Sequence, residues 1–111
     1  MKTVEYIQEQ EFDSLLTTEG LFVFDFTATW CGPCRIIAPL IDKLAEEYDT
    51  RAKVFKVDLD QNKSLAKRLG IRSIPAVMIY KNGTLMETIV GVTPYETFTN
   101  AVTKLLSSTG S

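Results

Sequence analysis

The residues whose type and spacing point most directly to chemistry are two cysteines, Cys31 and Cys34, with two residues between them. They are the only cysteines in 111 residues, and the chain has no histidine. The missing histidine excludes Ser–His and Cys–His nucleophile pairs and every metal site with a histidine ligand. A structural zinc site needs four ligands, more than this pair supplies. A purely structural disulfide across so short a loop would remove little entropy from the unfolded chain. The pair therefore indicates thiol–disulfide exchange.

The two cysteines lie where an apolar strand gives way to a helix. Residues 21–26 form a nearly continuous apolar run, typical of a strand buried on both faces, and Pro33 is placed to open the following helix. Free N–H groups at a helix N-terminus favour a thiolate, so we expect Cys31 to be the exposed nucleophile, with a lowered pKa. Cys34 lies within the first turn on the same face, so it can attack Cys31 and resolve a mixed disulfide.

The elements that must position this pair follow from hydrophobic periodicity. An Asn82-Gly83 pair predicts a tight hairpin, and Thr93, Pro94 and Glu96 predict a capping box at the last helix. The alternation of strands and helices, followed by a hairpin and a helix, predicts an α/β fold with a mixed five-stranded sheet and helices on both faces. The predicted strands are 4–7, 21–26, 54–57, 76–80 and 85–90, and the helices run through 12–16, 33–48, 65–69 and 94–106.

Length and charge limit the function further. A chain of 111 residues is one domain, and its net charge of −2 supplies no broad field for nucleic acid or an anionic membrane. No signal peptide or membrane span is visible, and two cysteines do not make a secreted disulfide framework. We therefore expect the cytoplasm or, for a processed chain, an organelle. The polar residues 107–111 are expected to be a frayed tail or a remnant added for expression.

Trp30-Cys31-Gly32-Pro33-Cys34, at the start of a helix after a strand, resembles the thioredoxin motif. The resemblance covers nearly the whole chain and implies a thioredoxin domain over residues 1–106, with four helices flanking the five-stranded sheet. One departure is Thr27, where many thioredoxins have a second tryptophan. Further features agree in order along the chain: Asp25, Pro39, Lys56-Val57-Asp58, Ile74-Pro75, Lys81-Asn82-Gly83 and Val90-Gly91.

The resemblance implies an acid–base role for Asp25, a carboxylate within an apolar strand. Burial would raise its pKa, and it would take the proton from Cys34 as that thiol attacks. Composition alone allows an edge-exposed or salt-bridged aspartate equally well. Lys56 resembles the lysine that thioredoxins place near this aspartate, although an exposed strand lysine explains it almost as well.

The resemblance also implies a substrate-binding surface around the motif. Ile74-Pro75 resembles the thioredoxin loop whose cis-proline packs beside the cysteines and whose backbone pairs with an extended substrate. Trp30 would shield the thiols and contact partners, or would only pack on the sheet edge. Gly91 would leave room for the approaching partner, or would only end a strand. The surface is completed by Gly32 and Pro33.

The resemblance implies a protein dithiol–disulfide oxidoreductase, an electron carrier in redox homeostasis that reduces disulfides in target proteins. Its redox-active disulfide would be its only cofactor, with no metal. Its partners would be disulfide-containing proteins and an NADPH- or ferredoxin-dependent thioredoxin reductase, and it would be a monomer that binds neither nucleic acid nor membrane. Two alternatives remain: a redox-independent binding or chaperone-like subunit on the same fold, and a disulfide-forming oxidant.

Overall fold

The computed structural model describes residues 4–107, which form one sheet flanked by helices. The predicted tail lies outside the described residues, except for Ser107, which belongs to the last helix. The strands are β1 (Glu5–Tyr6), β2 (Leu21–Thr27), β3 (Lys53–Asp58), β4 (Ala76–Lys81) and β5 (Thr84–Val90). The helices are α1 (Glu9–Leu15), α2 (Gly32–Glu47), α3 (Lys63–Leu69) and α4 (Tyr95–Ser107).

The five strands form a mixed sheet in the order β1-β3-β2-β4-β5. The first three are mutually parallel, whereas β4 runs antiparallel to both β2 and β5. β2 is the central strand of this order, and its six consecutive buried residues show that both of its faces are covered. The predicted α/β fold with a mixed five-stranded sheet and four helices is confirmed.

Alternate residues of β2 point to opposite faces, and each face has its own core. On one face Phe24 packs edge-on against Phe12 of α1, with ring centroids 4.8 Å apart, and against Tyr80 of β4. On the other face Val23 packs among buried residues of α2 and α4. Asp25 shares the parity of Val23, so its side chain points to the face that α2 covers.

The β4–β5 hairpin is confirmed in detail. Asn82 and Gly83 both adopt positive φ, at 52° and 84°, as a two-residue turn of this kind requires. Asn82 also holds the turn to the start of β2, because its Oδ1 accepts from Gly20 N at 2.8 Å and its N–H donates to Gly20 O at 2.9 Å.

The predicted capping box of the last helix is wrong. The helix begins at Tyr95, and Thr97 N donates to Pro94 O, so Thr93 lies outside the first turn. Within residues 4–107, Thr93 Oγ1 is buried without a hydrogen-bond partner. The spacing of the three residues fits a capping box, but the helix begins one residue later than predicted and the threonine hydroxyl caps none of its N–H groups.

Candidate active site

The redox pair is closed as a disulfide between Cys31 and Cys34, whose Cα atoms are 5.3 Å apart. Cys31 is the N-cap residue of α2, and its Sγ accepts a hydrogen bond from Cys34 N at 3.2 Å. Its own N–H donates to Ala28 O at 3.2 Å, which closes the turn between β2 and the helix. The sulfur of Cys31 therefore lies at the positive end of α2, where a backbone N–H points at it.

The predicted exposure of Cys31 is wrong for this disulfide-bonded form. Both cysteines have only 3% of their surface accessible, because they pack together with Ala28 and with the half-buried Ile74. Trp30, by contrast, is 67% exposed beside them. Sequence spacing located the sulfur at the helix terminus, but the cover comes from a loop more than forty positions away in the chain.

That loop contains a cis peptide bond between Ile74 and Pro75, as the resemblance implied. Ile74 O lies 3.8 Å from Cys31 Sγ, and Pro75 O accepts from Gly91 N at 2.9 Å. The fold thus brings the disulfide, the cis-proline loop and Gly91 to one place. Gly91 has φ 86°, and a Cβ at this position would lie more than 4 Å from any residue of this protein other than its two chain neighbours. A side chain here would therefore collide only with a binding partner.

Asp25 is buried in the central strand, with 2% of its surface accessible. Burial raises the pKa of Asp25 from 3.8 to about 7; the Lys56 charge opposes this shift and the Asp42 charge adds to it. Among the described residues its Oδ1 has no hydrogen-bond partner. A carboxyl group in this state can both accept and release a proton near neutral pH.

Asp25 and Cys34 line the same pocket, which has a volume of about 300 Å³. This space is large enough for water, and a water molecule hydrogen-bonded to the carboxyl group of Asp25 could carry a proton between the two groups. Thr27, a departure from the usual thioredoxin sequence, also lines it. The remaining lining residues are Tyr6, Ala28, Thr29, Arg35, Ala38, Lys56 and Asp58.

Lys56 lies next to Asp25 in the parallel register of β2 and β3, so the structure brings the two side chains to one face. Its ammonium group pairs with a different carboxylate, however: Lys56 Nζ lies 3.4 Å from Asp42 Oδ1 on α2. Sequence reasoning missed Asp42. Its signal was helical spacing, because Cys34, Ala38 and Asp42 follow one another every four residues along one face of the helix.

Two further contacts around the motif were also missed. Trp30 Nε1 donates to Asp60 Oδ1 at 3.1 Å, which holds the exposed indole against the loop after β3. Arg35 Nη1 donates to Thr29 O at 2.7 Å and braces the segment before the cysteines. No sequence signal predicts the Trp30 contact, because its partner is thirty positions away in an irregular loop.

Within residues 4–107 the structure contains no cluster of three or more histidine, cysteine, aspartate or glutamate residues suited to a metal ion. None of the helices in that range is both long and apolar enough to cross a membrane.

Comparison with known proteins identifies the family. The Thioredoxin family profile matches residues 3–104. The chain belongs to the thioredoxin family. It is 49% identical to Thioredoxin 1 of Synechococcus elongatus over 82 residues, which cover 74% of this chain and 77% of that protein. It is 45% identical to Thioredoxin of Porphyra purpurea over 106 residues, covering 95% and 99% of the two chains.

A third relative is the chloroplastic Thioredoxin M-type of Spinacia oleracea, 40% identical over 108 residues, which cover 96% of this chain and 60% of that protein. Membership of the thioredoxin family and the disulfide between Cys31 and Cys34 together make this chain a protein dithiol–disulfide oxidoreductase. Disulfide-containing proteins are the general class of target for this family, and a reductase restores the dithiol.

Proposed function

We propose that the Cys31 thiolate attacks one sulfur of a target disulfide. The target S–S bond breaks, a new bond joins Cys31 to the target, and the first target thiolate leaves. Cys34 then attacks Cys31 Sγ, which releases the second target thiolate and leaves the Cys31–Cys34 disulfide. The target gains two electrons, which the cysteine pair loses; of the two protons that its thiolates take up, Cys34 supplies one and the solvent the other. The position of Cys31 at the N-terminus of α2 supports this assignment, because the hydrogen bond from Cys34 N can stabilise its thiolate.

Asp25 is the proposed acid–base group of the second step. Cys34 must lose its proton before it attacks, and Asp25 lines the same pocket, buried and with a pKa of about 7. Water in that pocket can carry the proton between the two groups. When the disulfide is reduced again, Asp25 can return a proton to Cys34.

The proposed target-binding surface surrounds the sulfur of Cys31. The Ile74 backbone would pair with an extended segment of the target, as in strand addition, while exposed Trp30 supplies apolar contact. This surface relies on backbone pairing more than on side-chain recognition, which favours many targets and short-lived complexes. Its remaining residues are Gly32, Pro33, Pro75 and Gly91.

The proposal extends to partners and compartment. An NADPH- or ferredoxin-dependent thioredoxin reductase would recharge the disulfide, and the protein would act as a monomer without a further cofactor. Cytoplasm or an organelle would suit it, since the relatives include cyanobacterial and chloroplastic proteins. Turnover on a protein disulfide with each reductase class supplied in parallel distinguishes the electron donors.

Insulin-disulfide reduction tests the two cysteine roles separately. Cys31→Ser should abolish reduction, whereas Cys34→Ser should accumulate a mixed disulfide with the target, visible by mass spectrometry and reversed by dithiothreitol. Ser107→Ala, at the end of the last helix, is the control that should leave turnover unchanged. Appreciable activity of Cys31→Ser would refute the nucleophile assignment, and failure of Cys34→Ser to capture target would refute the resolving role.

A further inference from the structure

Asp42 is a charged residue that the proposed function leaves without a role. It lies on α2 two turns after Cys34, on the helix face that carries Ala38. Its carboxylate pairs with Lys56 at 3.4 Å, and the two side chains are 33% and 13% exposed, respectively. This ion pair connects the redox helix to the strand beside Asp25.

Lys56 lies near two carboxylates, those of Asp25 and Asp42. Its position in β3 is in register with Asp25 in β2, and both residues line the pocket beside Cys34. The ammonium group nevertheless pairs with Asp42, while Asp25 Oδ1 has no partner among the described residues. The long, flexible side chain of lysine can move between two such positions if one carboxylate is removed.

We propose that Asp42 is a positioning residue for the redox centre: it holds the Lys56 ammonium away from Asp25 and so leaves Asp25 free to exchange a proton with Cys34. This inference rests on the proposed acid–base role of Asp25. Asp42 touches neither the target nor the sulfur atoms and acts only through Lys56 and through its own charge.

The charges around Asp25 determine the direction of the effect. When Asp42 is replaced by a neutral residue, Lys56 loses its carboxylate partner, while the Tyr6 ring, with its centroid 5.9 Å from Nζ, remains beside it. The ammonium group then stabilises the ionised Asp25 carboxylate, which lowers the pKa of Asp25. Asp25 then becomes a weaker base toward Cys34 at neutral pH. The residue of β4 that is in register with Asp25 is the apolar Val77. The titratable and charged groups facing the pocket are Tyr6 from β1, Lys56 and Asp58 from β3, and Cys34 and Arg35 from the start of α2, with Asp42 behind Lys56.

The direct test is a carbon-13 NMR titration of the Asp25 carboxyl group in the oxidised full-length protein, in which neither cysteine titrates. Asp42→Asn should move the Asp25 midpoint to lower pH by about 0.5–1 unit, less than the effect of a fully buried pair because Asp42 is partly exposed. In a Lys56→Met background the same substitution should move it less than half as far. A shift below about 0.2 unit, or an equal shift in both backgrounds, would overturn the inference.

Two controls separate positioning from a merely structural role. Asp13→Asn removes the same charge from a different ion pair, that with Arg68, and should leave the Asp25 midpoint in place. Asp42→Glu restores the charge and should restore the midpoint. If Asp42→Asn does not fold, Asp42→Ser carries the same prediction.

Kinetics link the titration to turnover. With dithiobis(nitrobenzoate) as substrate, release of the second thionitrobenzoate reports the attack of Cys34 on Cys31. Its pH profile should move with Asp42→Asn by the same amount as the NMR midpoint. If the wild-type protein is active but Asp42→Asn leaves the Asp25 midpoint in place, only the role of Asp42 is overturned. An inactive wild-type protein would refute the proposed function, and the NMR titration would still decide whether Asp42 controls Lys56.

Discussion

As the pH rises from acid to alkaline, the oxidised Asp25→Asn variant should become increasingly stable relative to the oxidised wild-type protein. Burial raises the pKa of Asp25 from 3.8 to about 7, so the folded protein holds a proton that the unfolded chain has already released. Between those two values the wild-type protein loses stability as pH rises, because folding then requires proton uptake. Asparagine cannot ionise, so the variant lacks this loss.

The magnitude follows from the width of the pH window. Each pH unit between the two pKa values costs about 1.36 kcal/mol, so the full window of about three units corresponds to about 4 kcal/mol. Of the interval from about pH 5 to about pH 8, about two units lie between the two pKa values. Over this interval the free energy of unfolding of the variant, relative to wild type, should therefore grow by about 2–3 kcal/mol. Comparison between two pH values cancels the fixed cost of placing an asparagine amide at this site.

The assay is guanidinium unfolding of the oxidised protein, followed by Trp30 fluorescence and circular dichroism, at both pH values. The disulfide must stay closed, so that neither cysteine can ionise and the pH dependence reports on carboxyl groups alone. Asp13→Asn is the matched control, since it removes a carboxylate from an exposed ion pair and should show little change between the two pH values. A growth below about 0.5 kcal/mol for Asp25→Asn would refute the claim that Asp25 is buried with a raised pKa.

Two further substitutions test the core and the hairpin. Phe24→Ala should lower the free energy of unfolding by about 3–5 kcal/mol in denaturant titrations, because Phe24 is fully buried against several rings. Leu85→Ala, at an exposed position, should change it by less than about 0.5 kcal/mol. Equal losses for the two variants would contradict this packing. Gly83→Ala should lower the free energy of unfolding by about 1–3 kcal/mol, because the φ of Gly83 is 84° and a Cβ would collide with Leu16 O. Gly70→Ala should lower it less, because Gly70 has a similar φ of 71° but open space around it. A larger loss for Gly70→Ala would exclude the collision.

The parts of the fold that the sequence predicted correctly depend on local signals. The apolar run at β2 indicated a strand covered on both faces, and Asn82-Gly83 indicated a two-residue hairpin, because each signal resides in neighbouring residues. The capping box was also read from neighbouring residues and was wrong. Its three residues have the required spacing, but the helix begins at Tyr95 and Thr93 Oγ1 makes no hydrogen bond to it, which the spacing alone could not reveal.

The parts of the site that sequence reasoning missed depend on residues distant in the chain. The cover over Cys31 comes from Ile74, and the partner of Trp30 is Asp60 in another loop. The partner of Lys56 is Asp42, although the resemblance had pointed to Asp25. Helical spacing places Asp42 below Cys34, but only the packing of α2 on β3 brings its carboxylate to Lys56.

The sequence by itself determined that this protein carries one dithiol pair at the start of a helix, with no histidine to activate it, in an α/β domain of the thioredoxin family. The dithiol pair, the helix start and the α/β class follow from residue type, spacing and periodicity, which are properties of neighbouring residues, and the family follows from resemblance along the chain. The tertiary structure decided how deeply Cys31 is covered and which charges surround Asp25. Desolvation and Coulomb interactions depend on distances in space, and those distances exist only once β2, β3 and α2 have packed together.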